Sequence, residues 1–183
     1  MDATNGLYAR IQPLVGDPLP IHQVGDLSDV KPGMIATLNI PKTPHGNTLG
    51  LVLTRNETSV TVALIVAPDA ALATRRDVVV PVHSPDEPTQ ASNLRVVVAV
   101  DLIASISVAR LEEATVLGFA PDDVDLLTLI LWGHRDDEQY LAQSAINLGY
   151  TTGLNSTTGT EIDRRTTLVR ALAAAAWADL DDG

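Results

Sequence analysis

The sequence predicts a mainly β protein, a small antiparallel barrel or sandwich with helices added at its C-terminal side. Three observations carry this. Short runs rich in Val, Ile and Thr recur between residues 34 and 108, joined by loops with no helix between them. That pattern belongs to antiparallel sheets rather than to alternating β-α units. Some runs are apolar at almost every position, as in Val96-Val97-Val98-Ala99-Val100, so their strands are expected to be covered on both faces by a helix or a second subunit. Helical signals begin only at Pro121.

In chain order, residues 1–30 are polar with Pro13, Pro18 and Pro20 and read as an irregular arm. Lys31-Pro32-Gly33 is a turn, since proline presets φ and glycine tolerates the left-handed region. Strands are expected at 34–40, 48–54, 59–66, 77–82, 94–100 and 103–108. The second and third form a hairpin across Arg55-Asn56-Glu57-Thr58. Pro81 lacks a donor and places its strand at an edge or an end. A helix is expected from Pro121 to Gly133, with Asp122, Asp123 and Asp125 in its first turn, where negative charge suits the dipole. Its residues 124–132 are apolar nearly all round, which calls for burial on more than one side. A second helix is expected from Asp136 to Leu148, with Tyr140, Leu141, Ala145 and Leu148 on its apolar side. Residues 151–160 read as a flexible linker of Gly, Ser, Thr and Asn. The last helix is expected from Glu161 to Asp179, capped by Thr160 with Asp163 and fraying at an end whose acidic residues oppose the dipole.

Composition narrows the function. The 183 residues suit one domain or one domain with an appendage, and the absence of Cys excludes disulfides, thiolate catalysis and Cys-ligated metals. A net charge of −11 opposes binding to nucleic acid or anionic membranes by bulk charge. The charge is uneven, however: residues 31–83 carry five basic and three acidic groups, so RNA remains possible at that face. No apolar run is long enough for a membrane span and the N-terminus has no signal-peptide core, so a soluble, cytoplasmic chain with no membrane partner is expected. The four His residues are scattered without H-x-x-x-H spacing, and no phosphate-cradling glycine loop or G-x-S-x-G elbow is present. No metal, cofactor or hydrolase triad is therefore expected.

Five stretches in order carry a family likeness: PGMIATLNI, HGNTLGLVLT, ALIVAPD, ATRRDVVVPV, and VVVAVDLIASISVARL followed by LGFAPDDVDLLTLILWG. Together they make residues 30–133 resemble the MazF/PemK family of toxins, whose SH3-like barrel is shared with the gyrase-poisoning CcdB toxins. The resemblance implies an SH3-like small antiparallel β-barrel with a C-terminal helix over residues 31–133, to which residues 134–183 add a helical extension. It also implies a homodimer, an antitoxin-like partner, and metal-free endoribonuclease chemistry in which the RNA 2′-hydroxyl attacks the scissile phosphate. That chemistry needs a cation where charge develops on the phosphoryl oxygens, and a proton acceptor.

At the family's two catalytic positions this chain departs from the pattern. Thr48-Leu49 stands where an Arg-Pro pair is expected, and Asp69 or Ala70 where a Thr or Ser is expected. The residues able to stand in are His45, whose pKa suits proton transfer, and Arg75 and Arg76, which with Thr74 follow the second active-site turn. Arg55 lies at the hairpin tip. His45, Thr48, Asp69, Arg75 and Arg76 are thus the candidate catalytic set.

Antitoxin tails in that family are acidic with apolar anchors, and the end of this chain fits that description, so the last helix is a candidate mask for the groove of its own barrel or of a neighbouring subunit's. Deleting residues 151–183 is expected to unmask a binding surface or an activity if so. The candidate partner-binding residues are Trp132, Leu168, Leu172, Trp177 and Leu180. The expected function is a MazF/PemK-like barrel that has lost ribonuclease activity and binds a protein partner. The alternatives are a divergent endoribonuclease toxin of a toxin-antitoxin pair and a structural or viral assembly protein.

Overall fold

Strands with apolar side chains on both faces can be stable only between two covering layers. The structure, a computed structural model, describes residues 22–40, 48–67, 70–86 and 91–181, and it supplies both layers. The strands are β1 (His22–Gln23), β2 (Met34–Leu38), β3 (Thr48–Arg55), β4 (Ser59–Ala67), β5 (Asp77–His83), β6 (Ala91–Ser107), β7 (Thr115–Phe119) and β8 (Thr151–Thr152). The helices are α1 (Val124–Trp132), α2 (Glu138–Asn147) and α3 (Gly159–Asp181).

The strands follow the order β1-β7-β2-β3-β4-β6-β5-β8, and a further pairing of His83 with Phe119 joins β5 to β7. Six antiparallel strands thereby close into a barrel, so the small antiparallel barrel with a C-terminal helix and a helical extension is the fold. The closure depends on Gly118, where an added Cβ would strike the His83 carbonyl oxygen and crowd Val82.

Alternation along the strands sorts the core into two layers. Ile35, Leu51, Ile65, Val80, Val98 and Leu117 pack with Leu126 and Ile130 of α1 and Leu141 of α2. Val52, Val62, Leu64, Val97, Ile106 and Val116 pack instead with Ala171, Leu172 and Ala175 of α3. Helices of the same chain therefore supply the covering that the apolar runs demanded.

Several boundaries differ from expectation. The two strands expected at 94–100 and 103–108 are one bent strand, β6, whose first half pairs with β5 and whose second half pairs with β4. Asp101 falls at the bend as an exposed residue within a continuous strand. β7 was not expected, because TVLGF is short and carries a glycine, yet it is the strand that closes the barrel. The two-residue strands β1 and β8 fall within the expected arm and linker. β5 is flanked on both sides, by β6 and by β8 with β7, and Pro81 lies in the gap between the latter two.

The expected hairpin forms, with the Asn56 N–H donating to the Ser59 carbonyl at 2.8 Å. α1 starts at Val124 rather than Pro121, because the Asp123 carboxylate accepts the N–H groups of Asp125 and Leu126 and so fixes the N-cap there. α2 starts after its own cap, Asp137, and Tyr140 points outward rather than joining Leu141 and Ala145 in the core. Thr158, not Thr160, supplies the hydroxyl at the start of α3. The arm's residues 1–21 lie outside the described residues.

Candidate functional site

The described members of the candidate catalytic set, Thr48, Arg75 and Arg76, each make contacts of their own. His45 and Asp69 lie outside the described residues. Thr48 begins β3, opposite Leu38 of β2. Thr74 donates its hydroxyl to the Asp77 carboxylate at 2.8 Å. Arg75 is exposed and faces Glu138 across 3.9 Å. Arg76 donates to the carbonyls of Asp136 at 2.6 Å, His134 at 3.3 Å and Gly133 at 3.4 Å. Those carbonyls belong to the turn after α1, so Arg76 holds that turn to the barrel. Arg55 donates to the Leu27 carbonyl at 3.0 Å. Among the described residues no three His, Cys, Asp or Glu side chains form a metal-sized group, and no helix is long and apolar enough to cross a membrane.

α3 carries the strongest polar cluster. Its barrel-facing stripe runs Glu161, Arg165, Leu168, Leu172, Ala175 and Asp179, buried or half-buried, alternating steps of four and three residues that keep one face on the barrel. Arg165, with 8% of its side chain exposed, pairs with the fully buried Asp77 at 2.6 Å and with Asp101 at 3.0 Å. Its Nε donates to Glu161 at 2.9 Å, and the neighbouring Arg164 donates to Glu161 and to the Val66 carbonyl. Burial pulls the Arg165 pKa down, but Asp77, Asp101 and Glu161 outweigh it and leave the group raised. Burial raises Glu161 in turn, and its two arginines bring it below its usual value.

At the other end of α3, Asp179 pairs with Arg110 at 2.7 Å and accepts the Ser107 N–H at 2.6 Å. Burial raises the Asp179 pKa and these donors lower it further, for a net decrease. α3 runs to Asp181, and within its last turn the barrel supplies a cation and a donor for Asp179, a carboxylate that opposes the helix dipole.

The first half of the expected linker is tied down as well. β8 pairs with Val78 and Val79, the Gly153 N–H donates to the Thr74 carbonyl, and the Asn155 side chain donates to the carbonyls of Ala71 and Ala73. An added Cβ at Gly153 would collide with Ala73, so the close crossing requires glycine there.

The five candidate partner-binding residues divide. Leu172 is buried, and Leu168 is partly buried against the same core. Trp132, Trp177 and Leu180 are exposed, at 46%, 70% and 72%. Trp177 and Leu180 lie with Ile162 and Val169 on the outward side of α3, and Leu180 also lines a groove of about 840 Å³ beside Ser105, Ser107 and Arg110. Trp132 lines a smaller groove, about 380 Å³, between α1 and α2.

Sequence reasoning missed the Arg165–Asp77 pair. Its signal was a charged residue at an apolar-stripe position, three residues before Leu168 and seven before Leu172. It also missed Tyr150, whose hydroxyl donates to Asp123 at 2.8 Å. Burial, then that bond and the Asp123 charge, push the Tyr150 pKa up to about 12.

Set beside known protein families, curated proteins and solved structures, the chain matches none.

Proposed function

We propose that this chain acts by holding a protein partner, as a barrel of MazF/PemK-like design whose nuclease positions serve structure instead. The observation that carries the reading is Arg76. A guanidinium whose two terminal nitrogens donate to three backbone carbonyls is anchored to the turn after α1 rather than presented as a free cation. Arg75 faces a carboxylate, and Thr48 stands where the resembled family places its phosphate-binding arginine. Exposed Trp132, Trp177 and Leu180 give the surface the aromatic and aliphatic anchors that partner interfaces use.

The test is expression in cells followed by cleavage-site sequencing of total RNA. Wild type is expected to leave RNA uncut. Cleavage that disappears in His45→Ala or in Arg75→Ala/Arg76→Ala would replace this reading with a divergent endoribonuclease.

A further inference from the structure

The groove between α1 and α2 combines apolar lining with unspent negative charge. Leu129, Trp132, Tyr140 and Leu148 line it together with Asp125 and Asp136. Three neighbouring carboxylates are already engaged. Asp123 caps α1 and accepts from Tyr150, Asp137 caps α2, and Glu138 faces Arg75. The side chains of Asp125 and Asp136 have no hydrogen bond or ion pair among the described residues. Residues 121–148 hold six acidic side chains against one arginine, Arg135, and its guanidinium sits 4.2 Å over the Trp132 ring. The indole therefore already holds a cation of its own chain.

We propose that this groove receives a cationic amphipathic helix from a partner protein. Its apolar anchors would rest on Leu129, Trp132 and Tyr140, and its Lys or Arg side chains would pair with Asp125 and Asp136. The proposal rests on the partner-binding reading above and adds the chemistry of the partner. Charge selects the occupant. A second copy of this chain would bring the same six carboxylates against themselves, and like charges facing one another oppose association. Shape agrees: with Trp132 and Tyr140 46% and 62% exposed, the groove suits a polypeptide surface rather than a small molecule buried on most sides.

The experiment uses the full chain carrying Trp177→Phe, which leaves Trp132 as the sole indole of the two in the sequence. The probe is a synthetic peptide of about 18 residues, with Leu at i, i+3, i+4 and i+7 and Lys elsewhere, alongside its Leu/Glu counterpart. A saturable change in Trp132 emission with the Lys peptide alone is expected. Asp125→Asn/Asp136→Asn is expected to raise Kd by about tenfold or more. Glu57→Gln/Glu112→Gln, removing two charges from the barrel, is expected to change it by less than about threefold. Equal weakening by the two pairs would reduce the effect to bulk attraction toward an acidic protein and overturn the proposal. So would an absence of saturation, or undiminished calorimetric affinity in Trp132→Ala. RNA cleavage by wild type that disappears in His45→Ala or in Arg75→Ala/Arg76→Ala would remove the partner-binding reading whatever the peptide does. Uncut RNA without peptide binding would remove only this groove.

Discussion

Arg165 and Asp77 form the contact in this molecule whose loss is easiest to anticipate. Removing one member of a buried ion pair strands the other charge in a medium that solvates it poorly, at a cost of about 3–5 kcal/mol. Arg165→Leu is expected to lower urea stability by that order, while Asp77→Leu/Arg165→Leu should cost less than the sum of the two single changes, giving a large coupling in a double-mutant cycle. Tyr150 makes a pH prediction. A folded pKa pushed up to about 12 from 10 means that the neutral phenol is favoured by folding. Its contribution is complete below pH 10 and is lost as pH rises through about 12. Thermal melts between those pH values are expected to show this decline in wild type and a shallower one in Tyr150→Phe. Asp179 has the opposite sign. Its lowered pKa stabilises at neutral pH and is lost in acid as the carboxylate takes up a proton, releasing Arg110. None of these pairings is legible from local sequence, because each joins residues 27 to 88 positions apart.

At the scale of elements, α3 decides how the C-terminal extension behaves. A removable mask would meet the barrel through a rim of weak contacts. α3 instead meets it through Leu172, Ala175 and a buried guanidinium, with ion pairs at both ends. Deleting residues 151–183 is therefore expected to leave Asp77 unpaired and one apolar layer uncovered. Far-UV circular dichroism and hydrodynamic radius should report an unfolded or aggregated chain rather than an unmasked barrel. A folded, soluble truncation would restore the masking idea. Gly118→Ala should act at the other end of the fold by pushing β7 off β5, read as faster amide exchange in both strands. The expected hairpin and the apolar strands were legible because their signals lie within a few residues. β7 and β8 were not, because five- and two-residue strands acquire their identity from the neighbour they pair with.

For the molecule as a whole, charge is the property that reaches furthest. At −11 the folded chain repels itself, and salt screens exposed charges more than buried pairs. Raising ionic strength is expected to raise the melting midpoint slightly in wild type, and scanning calorimetry in low and high salt checks this. The same screening should weaken the cationic peptide at the α1–α2 groove.

The sequence by itself determined the class of the fold, because strand periodicity and turn chemistry are local and repeat many times along the chain. It also determined that apolar strands needed cover on both faces. It left open whether that cover was a helix of the same chain or a second subunit, and which side chains would remain exposed afterwards. Only the tertiary structure decided those points. Packing of Leu168, burial of Leu172, capture of Arg76 by the turn after α1, and the lack of side-chain partners for Asp125 and Asp136 among the described residues all depend on which distant surfaces meet. Sequence spacing cannot encode that choice when partners lie tens of residues apart, whereas packing settles it through the burial of whole faces.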